Sequence, residues 1–129
     1  TAPERWREWI GAPGTHHLSR FREIITAVDG WWTLVPDPTL IVEGAGDGDK
    51  LNVAARTDDG SRILAYLSAP HTVKLRLPST IAGGSYRLQV IDPATGERLH
   101  PQSHPAQAAQ TISTPTGWRD ALALIEARP

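Results

Sequence analysis

The sequence contains no cysteine and no methionine among its 129 residues. Without thiols the chain has no disulfide, no thiolate metal site and no cysteine nucleophile. It also lacks an apolar run of about twenty residues and a basic-then-apolar leader, so the residues predict neither a membrane span nor a signal peptide. Because position 1 is Thr1 and not methionine, we expect the chain to begin inside a longer protein.

An excess of basic charge is missing as well. The 13 Lys and Arg residues stand against 14 Asp and Glu residues, for a formal net charge of −1. A protein that binds duplex nucleic acid normally presents a basic stripe to the phosphates, whereas the basic residues here are scattered. We therefore expect no nucleic acid and no membrane among the partners. The 11 Gly and 11 Pro residues favour a turn-rich β domain.

Residues 1–30 predict a helical arm. The segment Thr1-Ala2-Pro3-Glu4 has the spacing of a capping box for a short helix that Gly11 stops. Thr15 can cap a second helix, and Gly30 supplies the left-handed residue that commonly ends one. Between them an apolar stripe recurs at intervals of three or four residues, which places its members on one helix face. The stripe consists of Leu18, Phe21, Ile25 and Val28. We expect this face to dock on the remainder of the chain or on a preceding domain.

From residue 31 to residue 129 the pattern changes to short strands and turns. Apolar residues alternate with polar ones or run together in segments 40–42, 51–56, 63–67, 73–77, 86–90, 110–114 and 121–126. Asp58-Asp59-Gly60 predicts a hairpin turn, residues 92–97 predict another turn, and residues 100–108 predict a loop. The last run is apolar on both faces, which predicts a central strand.

Seven or eight such strands without intervening helices predict an all-β fold. The spacing of turns is that of an antiparallel β-sandwich of immunoglobulin-like size, with the helical arm at its N-terminus. We accordingly divide the chain into a helical arm at 1–30 and a β-sandwich domain at 31–129.

No catalytic or metal-binding set is apparent. Acidic residues of the β part concentrate in predicted turns, where turn chemistry places them, rather than as a facing glycosidase pair. They are Asp47, Asp49, Asp58, Asp59, Asp92 and Glu97. Asp47-Gly48-Asp49 lacks the further ligands of a calcium loop. His100 and His104 have a zinc-like spacing, but the neighbouring prolines prevent the helix that would align them. We expect no metal, no cofactor and no catalytic residue in this chain.

The aromatic residues are the stronger candidates for function. Trp31 and Trp32 lie where arm meets sheet, and we expect them to be buried in an interface. Tyr66 and Tyr86 lie in alternating strands, for which a core position is the first interpretation. Trp118 follows a turn and is as consistent with exposure as with burial. If the chain binds a ligand through aromatic faces, the candidates are Trp118, Tyr86 and Tyr66.

Several of these segments together resemble a known family. They are residues 18–21, Trp31-Trp32-Thr33-Leu34-Val35-Pro36-Asp37, residues 54–56, 59–60 and 65–67, and Asp92-Pro93-Ala94-Thr95-Gly96-Glu97. The chain resembles the C-terminal β-sandwich domain of apiosidase-like glycoside hydrolases, a family named for collagen binding in a collagenase. In that family a (β/α)₈ barrel carries the catalytic carboxylates, so the resemblance transfers no catalytic residue to this chain.

The resemblance implies that residues 31–129 form a non-catalytic accessory domain and that the arm at 1–30 is the end of, or connector from, a preceding catalytic barrel. Its expected partner is the catalytic (β/α)₈ domain of the same parent chain, which it would stabilise by packing, and an extracellular or secreted location is expected. The interdomain interface would then include Trp31, Trp32, Leu18, Phe21, Ile25 and Val28. The alternative is a module that binds polysaccharide or collagen through surface aromatics. Exposed aromatic residues in a row on one sheet face would favour this alternative, and buried indoles would favour the packing role.

Overall fold

The computed structural model describes residues 23–28, 31–44, 52–67 and 72–127. Over these ranges the chain is mostly β, with nine strands in two sheets, which confirms the predicted all-β sandwich. The strands are β1 (Val35–Pro36), β2 (Ile41–Glu43), β3 (Val53–Arg56), β4 (Arg62–Leu67), β5 (Thr72–Arg76), β6 (Tyr86–Ile91), β7 (Gln102–His104), β8 (Ala109–Ser113) and β9 (Ala121–Ala127).

The larger sheet has six strands in the order β1-β3-β4-β9-β6-β7, and every neighbouring pair is antiparallel. Strand β9 lies between β4 and β6, so the central position predicted from its continuous apolar run is confirmed. Residues 121–125 are buried on both faces, as expected for a strand with no solvated side.

The smaller sheet has three strands in the order β2-β5-β8, again antiparallel. The alternation predicted for residues 73–77 is confirmed, since Val73 and Leu75 are buried while the intervening Lys74 is exposed. The two sheets enclose the inner core, which includes Leu40, Ile63, Leu67, Leu75, Ile81, Tyr86, Ile112 and Ile125.

A second apolar cluster covers the outer face of the larger sheet. Alternate residues of β4 and β9, such as Leu64 and Leu122, point away from the inner core. Residues 23–26 are α-helical, and Ile24, Ile25 and Val28 pack in this outer cluster. The domain therefore has three layers over the central strands. The predicted docking residues Leu18 and Phe21 lie outside the described residues, as do most of the arm and its capping segment.

The predicted hairpin between β3 and β4 is confirmed. Its turn holds Gly60 at a φ of 73°, in the left-handed region that glycine tolerates best. The Asp59 carboxylate accepts hydrogen bonds from the Thr57 hydroxyl at 2.8 Å and from the Ser61 hydroxyl and N–H at 2.7 and 3.0 Å. These bonds lower the pKa of Asp59 to about 2, with the Ser61 N–H as the largest cause.

The loop predicted over residues 100–108 is wrong in part. Residues Gln102–His104 form β7, which pairs with β6 from Tyr86 to Leu88. An edge strand of polar residues has no alternation of apolar and polar residues, so the sequence pattern does not predict that it pairs with a neighbour. A one-turn helix, α1 (Ser79–Ala82), also lies between β5 and β6, where the sequence predicted strands without intervening helices; it buries Ile81 in the inner core.

Among the described residues, no helix is long and apolar enough to cross a membrane.

Candidate functional site

The two neighbouring indoles lie on a 3₁₀ turn, Trp31–Thr33, that follows the helical residues. The Trp31 N–H donates to the Val28 carbonyl at 3.0 Å, and the rings meet edge to face with centroids 6.2 Å apart. Trp31 is half-buried against the outer cluster, whereas Trp32 is 55% exposed. The burial expected for Trp32 is therefore wrong within this chain, because the outer cluster receives Trp31 alone. The assignment of both residues to an interdomain interface stays a prediction.

Hydrogen bonds fix the segment that carries the indoles to the larger sheet. The Thr33 hydroxyl accepts from the Asp58 N–H at 3.3 Å, which places this turn beside the tip of the β3–β4 hairpin. Val35 then pairs with Arg56 in the sheet. The exposed Trp32 thus stands at the hairpin end of the sandwich.

An ion pair fixes the far side of the same segment. The Asp37 carboxylate accepts from the Thr39 hydroxyl at 2.5 Å and pairs with the Arg56 guanidinium at 2.9 Å. The Thr39 hydroxyl bond, with the Arg56 guanidinium, lowers the pKa of Asp37. Arg76 of β5 donates to the Thr39 hydroxyl at 3.0 Å, so the network joins the two sheets. This network therefore fixes the residues that follow the indole pair to both sheets.

The two tyrosines are core residues. Tyr86 is fully buried between the sheets, where its ring stacks on His104 with centroids 5.3 Å apart and its hydroxyl contacts the Gln107 and Gln110 side chains. Tyr66 is buried in the outer cluster and donates to Asp120 at 2.8 Å. Burial, with this carboxylate, raises the pKa of Tyr66. Neither ring offers an exposed face on which a ligand could stack, so core packing, the first interpretation, describes both.

Trp118 lies at the opposite end of the sandwich. It closes a turn in which its N–H donates to the Pro115 carbonyl at 3.1 Å and Gly117 has a φ of 88°. The turn leads into β9, whose first residue pairs with Leu67 at the end of β4 and thus far from the β3–β4 hairpin. Trp118 is half-buried. Trp118 and the exposed Trp32 are therefore at different ends of the domain.

The described residues gather no group of three His, Cys, Asp or Glu side chains that could hold a metal ion. His104 stacks on Tyr86 and contacts Gln102, while Asp47 and Asp49 lie outside the described residues. Two of the turn acids accept hydrogen bonds from backbone N–H groups, Asp59 from Ser61 at 3.0 Å and Asp92 from Ala94 at 2.9 Å.

Sequence reasoning missed a polar row across the larger sheet. Glu126 of β9 bridges Arg62 of β4 and Arg87 of β6, at 3.1 and 2.8 Å. The three residues are separated by up to 64 positions, and only strand register brings them together. Opposite charges at alternating positions of predicted strands were the available signal, but their partners depend on strand order.

Fold and site together define an antiparallel sandwich domain with a helical segment on one outer face and an exposed indole at one end. The chain belongs to the family described as "Putative collagen-binding domain of a collagenase", whose model matches residues 35–125. This match confirms the resemblance found in the sequence. No curated protein gives a significant match.

Two solved structures share the fold. One is described as a glycoside hydrolase and superposes with a TM-score of 0.74 at 14% identity, covering 95% of this chain. The other is a glycoside hydrolase family 5 protein from Bacteroides vulgatus ATCC 8482, with a TM-score of 0.73 at 15% identity over 89% of this chain. The chain spans only 27% and 24% of the lengths of these two proteins.

Proposed function

We propose that this chain is a non-catalytic accessory domain that packs on the catalytic (β/α)₈ barrel of a glycoside-hydrolase-like protein. The observation that carries the proposal is the exposed Trp32, which extends from the end of the sandwich where the helical residues join the sheet. An indole that is 55% exposed presents apolar area that a neighbouring domain can cover. The match to about a quarter of each glycoside hydrolase supports an attached domain. A secreted location forms part of this proposal.

The indole pair is also held in place before any partner binds, which favours a stable contact with a neighbouring domain. Trp31 is packed on the outer cluster and braces Trp32 edge to face, while Asp37 and Arg56 hold the following residues. A preorganised aromatic loses little conformational freedom when a partner covers it, which is typical of residues that dominate interfaces.

Association of separately produced domains tests this function. We expect this chain to bind the catalytic barrel encoded upstream of Thr1, measured by isothermal titration calorimetry. Trp32→Ser should weaken the association by at least about tenfold, the loss of one interface anchor. Trp118→Ser removes the same side chain at the other end of the sandwich and should leave the affinity unchanged. Equal affinities for wild type and Trp32→Ser, or a coding sequence without a barrel, would contradict the proposal.

The second candidate is a module that binds collagen or polysaccharide, as the family description suggests for collagen. Trp118 favours this function, because it is half-buried on a defined turn away from the helical segment. Among the described residues, however, the exposed large apolar side chains are Trp32, Val42 and Leu99, and only one of them is aromatic. The row of exposed rings expected of such a module is not present there, so we place the packing role first.

A further inference from the structure

The two sheets have four edges, and an unprotected edge strand can pair with a strand of another chain. Three of the four carry a protective feature. Strand β1 has two residues, one of them Pro36; β7 has three residues between Pro101 and Pro105; and β2 has a register irregularity between Ile41 and Glu43. Short length, proline, charge and bulges are the usual means by which proteins prevent edge pairing.

Strand β8 has none of these features. It contains five residues, Ala109-Gln110-Thr111-Ile112-Ser113, with no charge and no proline, and it pairs with β5 without a register shift. Within the described part of the chain, β8 is the last strand of its sheet and pairs with β5 alone. Thr111 and Ser113 are exposed.

The hydrogen-bond pattern shows which backbone groups face outward. The Leu77 N–H donates to the Ala108 carbonyl at 2.8 Å, so Leu77 and Ala108 form a hydrogen-bonded pair. Hydrogen-bonded pairs alternate with non-hydrogen-bonded pairs along an antiparallel ladder. Backbone groups of Gln110 and Ile112 therefore point to β5, whereas those of Ala109, Thr111 and Ser113 point away. The Thr72 and Ser113 hydroxyls are 2.8 Å apart, as expected for the close side chains of a pair without backbone bonds.

We propose that β8 pairs antiparallel with β8 of a second copy of this chain, about a twofold axis at Thr111. In that register Thr111 faces its own equivalent and Ala109 faces Ser113, and each facing pair can exchange two backbone hydrogen bonds. No like charges meet, because the strand is uncharged, and the interface is self-complementary as twofold symmetry requires. In the monomer the Gln110 side-chain amide donates to the Thr111 carbonyl at 2.8 Å. On pairing, this bond would break and the Thr111 carbonyl would accept from the second copy instead.

The location of β8 is compatible with the proposed function and independent of it. Gln110 contacts Tyr86 of β6, so β8 lies on the β6–β7 side of the sandwich. The indole pair leads into β1, at the other edge of the larger sheet. The dimer therefore leaves Trp32 accessible, and loss of either interface would not remove the other.

Light scattering on the 129-residue chain tests the dimer. The monomer mass is 14.0 kDa, and we expect the measured mass to rise toward twice that value as concentration increases from about 10 µM to about 1 mM. Thr111→Pro removes an outward N–H without touching the ladder to β5, and Thr111→Lys places equal charges opposite each other. Both variants should remain at 14.0 kDa at all concentrations.

Thr116→Lys is the matched control, since it adds the same charge on the exposed turn before Trp118, and it should dimerise like wild type. Amide hydrogen exchange gives a second measurement: the amide of residue 111 should exchange more slowly at high concentration in the wild type and in Thr116→Lys, but not in Thr111→Lys. A wild type that stays monomeric, or a dimer that Thr111→Lys leaves intact, would overturn the proposal. If the Thr111 amide exchanged slowly only after an extended peptide is added, the β8 edge would bind a different partner, and this result would also overturn the proposed dimer.

Discussion

At the scale of single residues, the β3–β4 hairpin depends on two neighbours with different roles. Gly60 is required by backbone geometry, because its φ of 73° disfavours any side chain. Asp59 is required by hydrogen bonding, because its carboxylate accepts from the two residues that flank the turn. The sequence signal Asp-Gly therefore specifies both the turn and the chemistry that holds it.

Gly60→Ala should destabilise the domain by about 1–3 kcal/mol. A Cβ atom at this position would lie 2.8 Å from the Thr80 hydroxyl oxygen, which is itself bonded to the Gly60 carbonyl at 2.6 Å and so cannot move without losing that bond. Urea denaturation measures the effect. Gly84→Ala is the control, because a Cβ there meets nothing within 4 Å. Equal stability of the two variants would contradict this account of the turn.

Acid should weaken the contribution of Asp59. The pKa of Asp59 is lowered in the fold from 3.8 to about 2, so its stabilisation is fully present above the higher value and is lost as the pH falls through the lower one. We expect the difference in melting temperature between wild type and Asp59→Asn to shrink between about pH 5 and about pH 2. Asp58→Asn removes the same charge one residue earlier, where the carboxylate makes none of these bonds, and is the matched control for the loss of a surface charge. A pH-independent difference for Asp59→Asn would show that the carboxylate charge does not support the turn.

At the scale of elements, the central strands are where sequence and structure agree best. A strand buried on both faces must be apolar throughout, so β9 could be placed in the middle of a sheet from its residues alone. Strand β7 could not be predicted, because an edge strand of Gln, Ser and His meets solvent and needs no pattern. Which sheet each strand joins depends on long-range register, and the sequence carries no local signal for it.

The candidate site, too, could be predicted only in part from the sequence. The adjacent indoles before Leu34-Val35-Pro36 were expected where the arm meets the sheet; Trp31 packs on the outer cluster beside Ile24, Ile25 and Val28, and the interface itself stays a prediction. Whether Trp31 or Trp32 points inward depends on the phase of the 3₁₀ turn, which the sequence does not determine. The ion pair of Asp37 with Arg56 spans 19 residues and follows from the pairing of β1 with β3.

The segment 23–28, which is α-helical over residues 23–26, supplies the test at this scale. Ile25 is fully buried in the outer cluster, so Ile25→Ala should lower the free energy of unfolding by about 2–5 kcal/mol, the usual cost of such a truncation in a core. Glu23→Ala, at an exposed position of the same helical turn, should change it by about 0.5 kcal/mol or less. Both values come from urea denaturation followed by tryptophan fluorescence. A small effect of Ile25→Ala would mean that the helix does not dock on the sheet in solution.

At the scale of the whole molecule, the domain separates its possible contacts in space. The exposed indole stands at the hairpin end, Trp118 stands at the opposite end, and the unprotected β8 edge runs along the β6–β7 side. A single sandwich could therefore contact a catalytic domain and a second copy at once. Because these surfaces share no residue, substitutions at one of them should leave the others intact.

Trp32→Ser in the isolated chain distinguishes a surface indole from a core indole. Trp32 is 55% exposed, and its ring meets the Trp31 ring edge to face. We therefore expect the substitution to lower the free energy of unfolding, measured by urea denaturation, by about 1 kcal/mol or less. A buried tryptophan would cost about 3–5 kcal/mol on truncation to a small residue. The larger loss would mean that the indole is covered within the chain, and the surface available for a catalytic domain would disappear with it. A small loss together with lost retention on insoluble polysaccharide or collagen would instead make Trp32 a ligand contact, because stacking on a ligand stabilises the complex and not the free domain. We expect the small loss without any change in retention.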